Sequence, residues 1–283
     1  MEKIVVIGLG LIGGSLALDL KKKANRTIIG IDNNTDHIKK ALELGVIDEA
    51  GSLDQVKDAA IVIIAVPANA IPSLTEQVLD NVNNNTLVFD VGSVKQQVCQ
   101  HVQNHPNRDK FVAAHPIAGT EFSGPEAAFN GLFTNKINII CDKNLSNKNI
   151  LDRAIKMFDE LEMKTTFMSP VEHDKHIAYV SHLSHISSFM LGKTVLEIEP
   201  DEENIFNMAG SGFRSTVRLA KSSPAMWTPI FLQNKNNIVK SLNEYIKNLE
   251  TFKTLIENES DDEVFAVMQN TNRIKNILNG IVK

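Results

Sequence analysis

One histidine in this sequence is placed where an imidazole can take a proton from a bound molecule. His115 directly follows the apolar run Phe111–Ala114 and precedes Pro116 and a glycine-containing loop. An imidazole that ends a strand in this way is exposed at the carboxyl end of that strand, and its ordinary pKa lets it accept a proton near neutral pH. Oxidation of an alcohol needs such an acceptor, so we predict that His115 is the catalytic base rather than a histidine that only terminates a strand.

A second pair of polar residues follows the preceding apolar run. Ser93 and Lys95 lie at a predicted turn from strand to helix, in the segment Asp90–Lys95. Ligands of an open α/β sheet bind at the carboxyl ends of its strands, so this turn is expected to face the same site as His115. Ser93 is also a preferred helix N-cap residue, and both roles stay open for it.

Residues 8–13 read Gly-Leu-Gly-Leu-Ile-Gly and fit the dinucleotide-binding pattern G-x-G-x-x-G. The pattern follows a predicted strand and opens a predicted helix, which is the context that makes it informative. Its first glycine allows a tight turn, its second lets a pyrophosphate approach the backbone, and its third permits close packing of helix on strand. We predict that this loop binds the cofactor through Gly8, Gly10, Leu11, Ile12 and Gly13.

Asp32 ends the second predicted strand, where an acidic residue can bind the cofactor ribose. Its carboxylate would accept hydrogen bonds from the ribose hydroxyls of NAD and repel the 2′-phosphate of NADP. Residues 33–35 supply no arginine or lysine that could bind this phosphate. The sequence therefore predicts NAD as the cofactor. Val66 and Pro67, which follow a later strand, are expected to pass over its nicotinamide half.

Candidate substrate contacts lie in the second half of the chain. His182 and His185 share one helix face, but two histidines without a carboxylate at matching spacing make a poor zinc motif, so we predict no metal site. Arg214 and Arg218 follow a glycine-rich turn at a predicted helix start. Guanidinium groups bind carboxylates in bidentate geometry. Arg214 is the predicted substrate contact and Arg218 the next candidate, although a salt bridge explains Arg218 alone better.

The elements that must position these residues change in character near Pro170. Apolar runs typical of buried parallel strands alternate with amphipathic stretches up to residue 168, and from Glu172 onward only helical spacing is found. This pattern predicts a Rossmann-type, doubly wound parallel α/β sheet over residues 1–169 and an all-helical domain over 170–283. The predicted strands cover 3–7, 27–31, 60–66, 86–91, 111–114, 137–141 and 164–168.

Composition limits the class of protein. The formal net charge is -5 at pH 7, which argues against a nucleic-acid binder because such proteins normally carry a basic face. No apolar run approaches the length of a membrane helix. Cys99 and Cys141 have neither metal-type spacing nor the pattern of a disulfide framework. Because a predicted strand begins at Lys3, we expect no signal peptide and a cytoplasmic protein.

Taken together, these segments resemble the prephenate dehydrogenase family. The similarity runs from Lys3 to about Asn237 and rests on separate motifs in the order of that family. They occupy residues 8–14, 90–95, 115–124, 181–185, 210–218 and 223–227. The resemblance implies a Rossmann domain followed by an all-helical dimerisation domain, and hence a homodimer that acts on a small molecule.

The resemblance also implies an activity, the NAD-dependent oxidative decarboxylation of prephenate to 4-hydroxyphenylpyruvate in tyrosine biosynthesis. It gives His115 the role of accepting the proton of the ring hydroxyl. It has Ser93 hydrogen-bond both this histidine and the hydroxyl, and Arg214 bind a substrate carboxylate. The remaining pocket residues that it implies are Thr120, Glu121, His182, His185 and Trp227.

Three other hypotheses stay open at this point. An arogenate dehydrogenase has the same fold and chemistry with an amino acid side chain on the substrate. A β-hydroxyacid dehydrogenase shares the architecture but uses a lysine base in its helical domain, whereas His115 is the better candidate here. A nucleotide-sensing protein would bind NAD without turnover.

Many relatives carry aspartate at the position of Ser215, so contacts at the pocket mouth are expected to differ.

Overall fold

The computed structural model describes residues 2–22, 25–201 and 204–280 of the chain. The chain forms two compact units that divide between Asn234 and Lys235. The first unit contains an eight-stranded sheet with the order β3-β2-β1-β4-β5-β6-β7-β8. Its strands are β1 (Glu2–Ile7), β2 (Arg26–Ile31), β3 (Glu49–Ala50), β4 (Ile61–Ile64), β5 (Leu87–Asp90), β6 (Phe111–Pro116), β7 (Ile137–Cys141) and β8 (Lys164–Met168).

The predicted Rossmann-type sheet is confirmed, with one departure from a wholly parallel arrangement. All neighbouring strands are parallel except β6 and β7, in which His115 lies opposite Ile139. The connection between these strands contains only a short 3-10 turn, Pro125–Ala127, among its described elements. A parallel pair needs a crossover connection that returns the chain to the same edge, usually through a helix, so β7 runs antiparallel to β6.

Helices cover both faces of this sheet and continue beyond its last strand. Those of the first unit are α1 (Leu11–Lys21), α2 (Thr35–Glu43), α3 (Ile71–Asn81), α4 (Gln96–His101), α5 (Lys148–Glu160), α6 (Pro170–Ile177), α7 (Leu183–Ile198), α8 (Ser211–Thr216) and α9 (Pro224–Gln233). Those of the second unit are α10 (Lys235–Glu257), α11 (Asp261–Thr271) and α12 (Ile274–Gly280).

The apolar runs form strands because each face of the sheet has its own core. In β1, Ile4 and Val6 belong to one hydrophobic cluster, and Val5 and Ile7 belong to the other. Successive side chains of a strand point to opposite faces, so a run without polar residues is buried only when helices cover both sides. This arrangement leaves the carboxyl ends of the strands as the place for a site.

The helical segment after β8 begins with a capping box. The Ser169 hydroxyl accepts a hydrogen bond from the Glu172 backbone N–H at 3.2 Å, and the Glu172 carboxylate accepts one from the Ser169 N–H at 3.1 Å. Pro170 occupies the first turn, where its missing N–H costs nothing. A π-helical turn, Ala178–His182, then separates α6 from α7. Such turns alter the angular phase of a helix and are frequent at functional sites.

The boundary between the two compact units, at Asn234 and Lys235, lies well beyond the change of sequence pattern at Pro170. Hydrogen bonds join α6 and α9 to the segments that follow β5 and β4, from the Lys95 N–H to Asp174 and from the Gln233 amide to the Ala68 carbonyl. The second unit consists of α10, α11 and α12. Within the described residues, no helix is both long and apolar enough to cross a membrane.

Candidate active site

The glycine loop between β1 and α1 fits a dinucleotide. Gly8 has a φ of +97°, and a Cβ placed on it would lie 2.3 Å from the Ala65 carbonyl oxygen. A Cβ on Gly13 would lie 1.9 Å from the Gly8 carbonyl oxygen, so both positions require glycine. The space beside Gly10 is open, with no atom within 4 Å of such a Cβ. Leu11 and Ile12 open α1, whose first-turn N–H groups can receive a phosphate.

Asp32 lies beside this loop at the end of β2. Its Oδ2 accepts a hydrogen bond from the Leu9 N–H and its Oδ1 accepts one from the Asn34 N–H, both at 2.8 Å. Oδ2 also lies 3.5 Å from Nδ1 of His37. Oδ1 keeps acceptor capacity, because a carboxylate oxygen can accept more than one hydrogen bond. Val66 and Pro67 follow β4 at the same edge of the sheet, directly after the carbonyl that approaches Gly8. The predicted cofactor residues are thus gathered at one edge.

Lys95 is part of a buried ion pair rather than a pocket-lining residue. Its Nζ donates to Asp90 Oδ2 and, at 2.7 Å, to the carbonyl of Ala114, and the side chains of Lys95 and Asp90 are fully buried. Burial raises the pKa of the Asp90 carboxyl group, and the nearby Lys95 ammonium opposes this effect. Because Ala114 precedes His115, the pair fastens the turn after β5 to the strand that carries the imidazole.

His115 is the first member of a buried chain of hydrogen bonds. Its Nδ1 lies 2.7 Å from Nε2 of His173, and Nδ1 of His173 lies 2.7 Å from Oδ1 of Asp174. All three residues are buried, so the expectation of an exposed imidazole at His115 was wrong. Nε2 of His115 makes no hydrogen bond in the part of the chain that the structure describes. His173 and Asp174 were not predicted from the sequence, because they lie in the first turns of α6 and resemble ordinary helix-start residues.

Asp174 also fixes the turn that carries Ser93. Its Oδ1 accepts a hydrogen bond from the Lys95 N–H at 2.8 Å, and its Oδ2 accepts one from the Gln96 N–H at 2.9 Å. The carboxylate therefore satisfies orphan N–H groups at the start of α4 from another element. Ser93 itself is half-buried, and no hydrogen bond joins it to His115 among the described side chains.

His182, His185 and Trp227 come together, as the sequence analysis expects. The rings of His185 and Trp227 stack with centroids 3.5 Å apart, and the ring of His182 meets that of Trp227 edge-on at 5.9 Å. Trp227 packs in a cluster with Ala68 and Val94, which follow β4 and β5 respectively. The three side chains therefore lie near the carboxyl ends of the central strands.

The histidines of this site are electrostatically coupled. Burial lowers the pKa of His115 well below its ordinary value, and the positive charges that His173, Lys95 and His182 carry or can acquire lower it further. Burial also lowers the pKa of His182 to about 4, although Asp174 opposes the shift. The neutral imidazole is thus the stable form of His115 at neutral pH, as a proton acceptor requires.

The two candidate arginines differ in their surroundings. Nη1 of Arg218 lies 3.3 Å from Oε2 of Glu121, in the loop after β6 that also carries half-buried Thr120. Arg214 is exposed on α8, and no ion pair is found for it among residues 2–22, 25–201 and 204–280. Within those ranges there is also no group of three or more histidine, cysteine or acidic side chains that could hold a metal ion.

Ser188 fixes the segment that carries Arg218. Its hydroxyl donates to the Thr216 carbonyl at 3.0 Å and accepts a hydrogen bond from the Ala220 N–H at 3.1 Å. The serine lies on α7 and is buried, so it anchors the backbone two residues to either side of Arg218. The salt-bridge interpretation of Arg218 therefore agrees with its position beside the loop that follows β6, the strand that carries His115.

The fold places a dinucleotide-binding loop and an imidazole suited to accept a proton at the same edge of the sheet. This combination is that of a nucleotide-dependent dehydrogenase. Comparison with known families makes this class specific. Residues 16–167 match the nucleotide-binding domain of prephenate dehydrogenase, and residues 169–270 match its dimerization domain. The chain belongs to the prephenate dehydrogenase family and is an oxidoreductase, as the sequence motifs predict.

Individual relatives cover most of the chain. Prephenate dehydrogenase of Bacillus subtilis is 36% identical over 93% of this chain and 72% of its own length. The structure of Aquifex aeolicus prephenate dehydrogenase in complex with hydroxyphenyl propionate and NAD+ is similar with a TM-score of 0.89, at 32% identity over 98% of both chains. Synechocystis arogenate dehydrogenase is similar with a TM-score of 0.78, at 30% identity over 98% of this chain and 99% of its own.

Proposed function

We propose that this protein catalyses the NAD-dependent oxidative decarboxylation of prephenate to 4-hydroxyphenylpyruvate, a step of tyrosine biosynthesis. The observation that carries the proposal is the state of His115, whose Nδ1 is engaged by His173 while its Nε2 makes no hydrogen bond among the described residues. The imidazole thus presents one ring nitrogen to a substrate at the carboxyl end of β6. Membership of the prephenate dehydrogenase family supports the choice of substrate.

NAD is the cofactor, and when bound it supplies the acceptor for the hydride that leaves the substrate ring. The open space at Gly10 accommodates the pyrophosphate, and α1 presents its N-terminus to it. Asp32 is placed to accept hydrogen bonds from the ribose hydroxyls and would repel a 2′-phosphate. Val66 and Pro67 follow β4 at the same edge and are proposed to contact the nicotinamide half.

His115 is proposed to move one proton in each direction. Its Nε2 takes the proton of the ring hydroxyl as the C–H bond at the same carbon breaks and the hydroxyl becomes a carbonyl. The bond to the ring carboxylate then breaks, carbon dioxide leaves, and its electron pair makes the ring aromatic. The phenolate oxygen formed in this step recovers the proton from His115. A buried imidazole with a lowered pKa suits this return, because its protonated form is a strong acid.

The substrate carboxylates need cationic partners, and two arginines are proposed for them. Arg214 is the residue that the sequence motif indicates. Arg218 is better supported by its position, because it pairs with Glu121 in the loop that follows β6. Burial lowers the pKa of His185, and the nearby charge of Arg218 adds to this effect. Thr120, His182 and Trp227 are proposed to line the remaining pocket, and Ser93 to hydrogen-bond the substrate hydroxyl.

The two parts of the chain are proposed to have different functions. Residues 1–169 bind the cofactor, and residues 170–283 supply substrate contacts and a homodimer interface. The match of residues 169–270 to a dimerization domain supports the second assignment. A cytoplasmic location stays a prediction from the sequence.

Arogenate is a second candidate substrate, favoured by the similarity to the Synechocystis arogenate dehydrogenase. It differs from prephenate in carrying an amino acid side chain, and the proposed chemistry at the ring is the same for both. Purified protein should therefore be given NAD with prephenate or with arogenate while NADH absorbance is followed, with His115→Asn as the inactive control. Faster turnover of prephenate supports the proposal. Turnover of arogenate alone, or of neither compound, would reject it.

A further inference from the structure

The geometry points to His173 and Asp174 as positioning residues that hold His115 in the tautomer whose Nε2 is the proton acceptor. The inference rests on the proposed function, in which His115 is the base. Both positioning residues lie outside the family motifs recognised in the sequence. Three buried groups form the chain: the Asp174 carboxylate, the His173 ring and the His115 ring, joined by two contacts of 2.7 Å.

The direction of each hydrogen bond follows from the Asp174 carboxylate. A carboxylate oxygen can only accept, so Nδ1 of His173 carries a proton and donates it to Asp174 Oδ1. Burial lowers the pKa of His173 in spite of Asp174, so this ring is neutral and its Nε2 is an acceptor. Nδ1 of His115 must then donate to it. The one nitrogen left with a lone pair is Nε2 of His115.

The opposite arrangement is unfavourable at the contact between His173 and Asp174. It would place the lone pair of His173 Nδ1 against a carboxylate oxygen 2.7 Å away, in a buried site where water cannot separate them. Asp174 is itself fixed by two backbone donors, the N–H groups of Lys95 and Gln96. Two other charged or titratable groups lie near these three side chains. They are Lys95 Nζ, which is paired with Asp90, and His182. None of them supplies an alternative acceptor for His115 Nδ1.

Two substitutions at one position separate the tautomer effect from packing. In His173→Gln, the side-chain oxygen can reach the place of Nε2 and accept from His115, while the link to Asp174 is lost. In His173→Asn, the side-chain amide can reach the place of Nδ1 and donate to Asp174, while His115 loses its acceptor. Both variants remove a buried ring and should lose similar amounts of thermal stability.

We expect these variants to differ in kcat. His173→Gln should stay within about tenfold of the parent protein, and His173→Asn should lose on the order of 10²–10⁴-fold, since a catalytic imidazole in the wrong tautomer loses up to ~10⁴-fold. The KM for prephenate should change little in either, because neither side chain is placed on the substrate. Equal losses of kcat in the two variants, with equal melting temperatures, would overturn the inference.

A measurement without substrate keeps this test independent of the proposed function. In the ¹⁵N-labelled parent protein, Nε2 of His115 should show the chemical shift of an unprotonated imidazole nitrogen and Nδ1 that of a protonated one. The signals can be assigned by their loss in His115→Asn. A protonated Nε2 in the parent protein would reject the positioning role. The expected shifts in a protein that does not oxidise prephenate would reject the proposed substrate and leave the positioning role intact.

Discussion

Arg218 and Glu121 form an ion pair of 3.3 Å that joins the segment after α8 to the loop after β6. A charge-assisted hydrogen bond to a substrate carboxylate contributes about 1.5–3 kcal/mol. If Arg218 makes one, Arg218→Ala should raise the KM for prephenate by about 10- to 100-fold with the KM for NAD unchanged. Arg218→Lys should recover little of this loss, because an ammonium group lacks the guanidinium fork.

Arg214→Ala is the matched comparison, because it removes an arginine four residues away without breaking that ion pair. A larger rise in the KM for prephenate in Arg214→Ala than in Arg218→Ala would return the role to the residue that the sequence motif indicates. Steady-state kinetics with prephenate varied at saturating NAD measures both variants under the same conditions.

Asp32 should determine the choice between NAD and NADP. Its carboxylate accepts two backbone hydrogen bonds beside the glycine loop and repels a 2′-phosphate. In Asp32→Ser, the ratio of kcat/KM for NAD to that for NADP should fall by about tenfold or more, as loss of one charge-assisted hydrogen bond predicts. Asp36→Ser removes a charge from an exposed position on α2 and serves as the control. Equal ratios in the two variants would show that Asp32 does not face the ribose.

The nucleotide half of the site could be predicted from the sequence because its signals are local. The spacing of the glycines and the acidic end of β2 lie within residues 8–32, and the geometry at Gly8 and Gly13 agrees with the roles given to them. The chain from His115 to Asp174 could not be predicted. His115 and His173 lie 58 positions apart, and Asp174 accepts from the Lys95 N–H 79 positions away. Periodicity does not tell which distant side chains meet.

The fold was predictable for the same reason, and its exceptions are short or irregular elements. Long apolar runs such as that of β4 give a clear strand pattern, whereas β3, Glu49–Ala50, has too few residues to show a period. The antiparallel direction of β7 follows from its connection to β6, in which the described residues 117–136 form no crossover helix, and the apolar run of β7 itself does not indicate this direction. The π-turn Ala178–His182 lies inside a stretch that has helical spacing throughout.

The protein should be a homodimer in solution. Exposed apolar side chains occur along the helices of the second unit, among them Leu249, Ile256 and Phe265, and the segment matches a dimerization domain. Light scattering should give about twice the monomer mass of 31.3 kDa. Phe265→Asp, which places a charge where burial at an interface is expected, should shift the mass toward the monomer. A monomer mass for the parent protein would contradict the prediction.

Stability should fall as the solution is acidified below the ordinary pKa of histidine. Burial lowers the pKa of His182 to about 4, so between pH 6.5 and pH 4 the unfolded chain binds a proton that the folded protein does not. The free energy of unfolding is not reduced by His182 above pH 6.5, and it should be lower by about 2 kcal/mol at pH 5. His182→Asn should flatten this dependence in urea unfolding, since its side-chain oxygen can still accept from Asn234. His176→Asn, at an exposed position, should not.

His115 should act as a base with an acid limit below that of an ordinary histidine. Burial, His173, Lys95 and His182 all lower its pKa, so the neutral form persists as the pH falls through 6.5. The value of kcat/KM should therefore decline only at a lower pH, when His115 becomes protonated. His115→Asn should reduce kcat by ~10²–10⁴-fold, remove this acid limb and leave NAD binding intact. An acid limb that persists in His115→Asn with near-normal turnover would assign the base to another residue, with His182 as the first candidate.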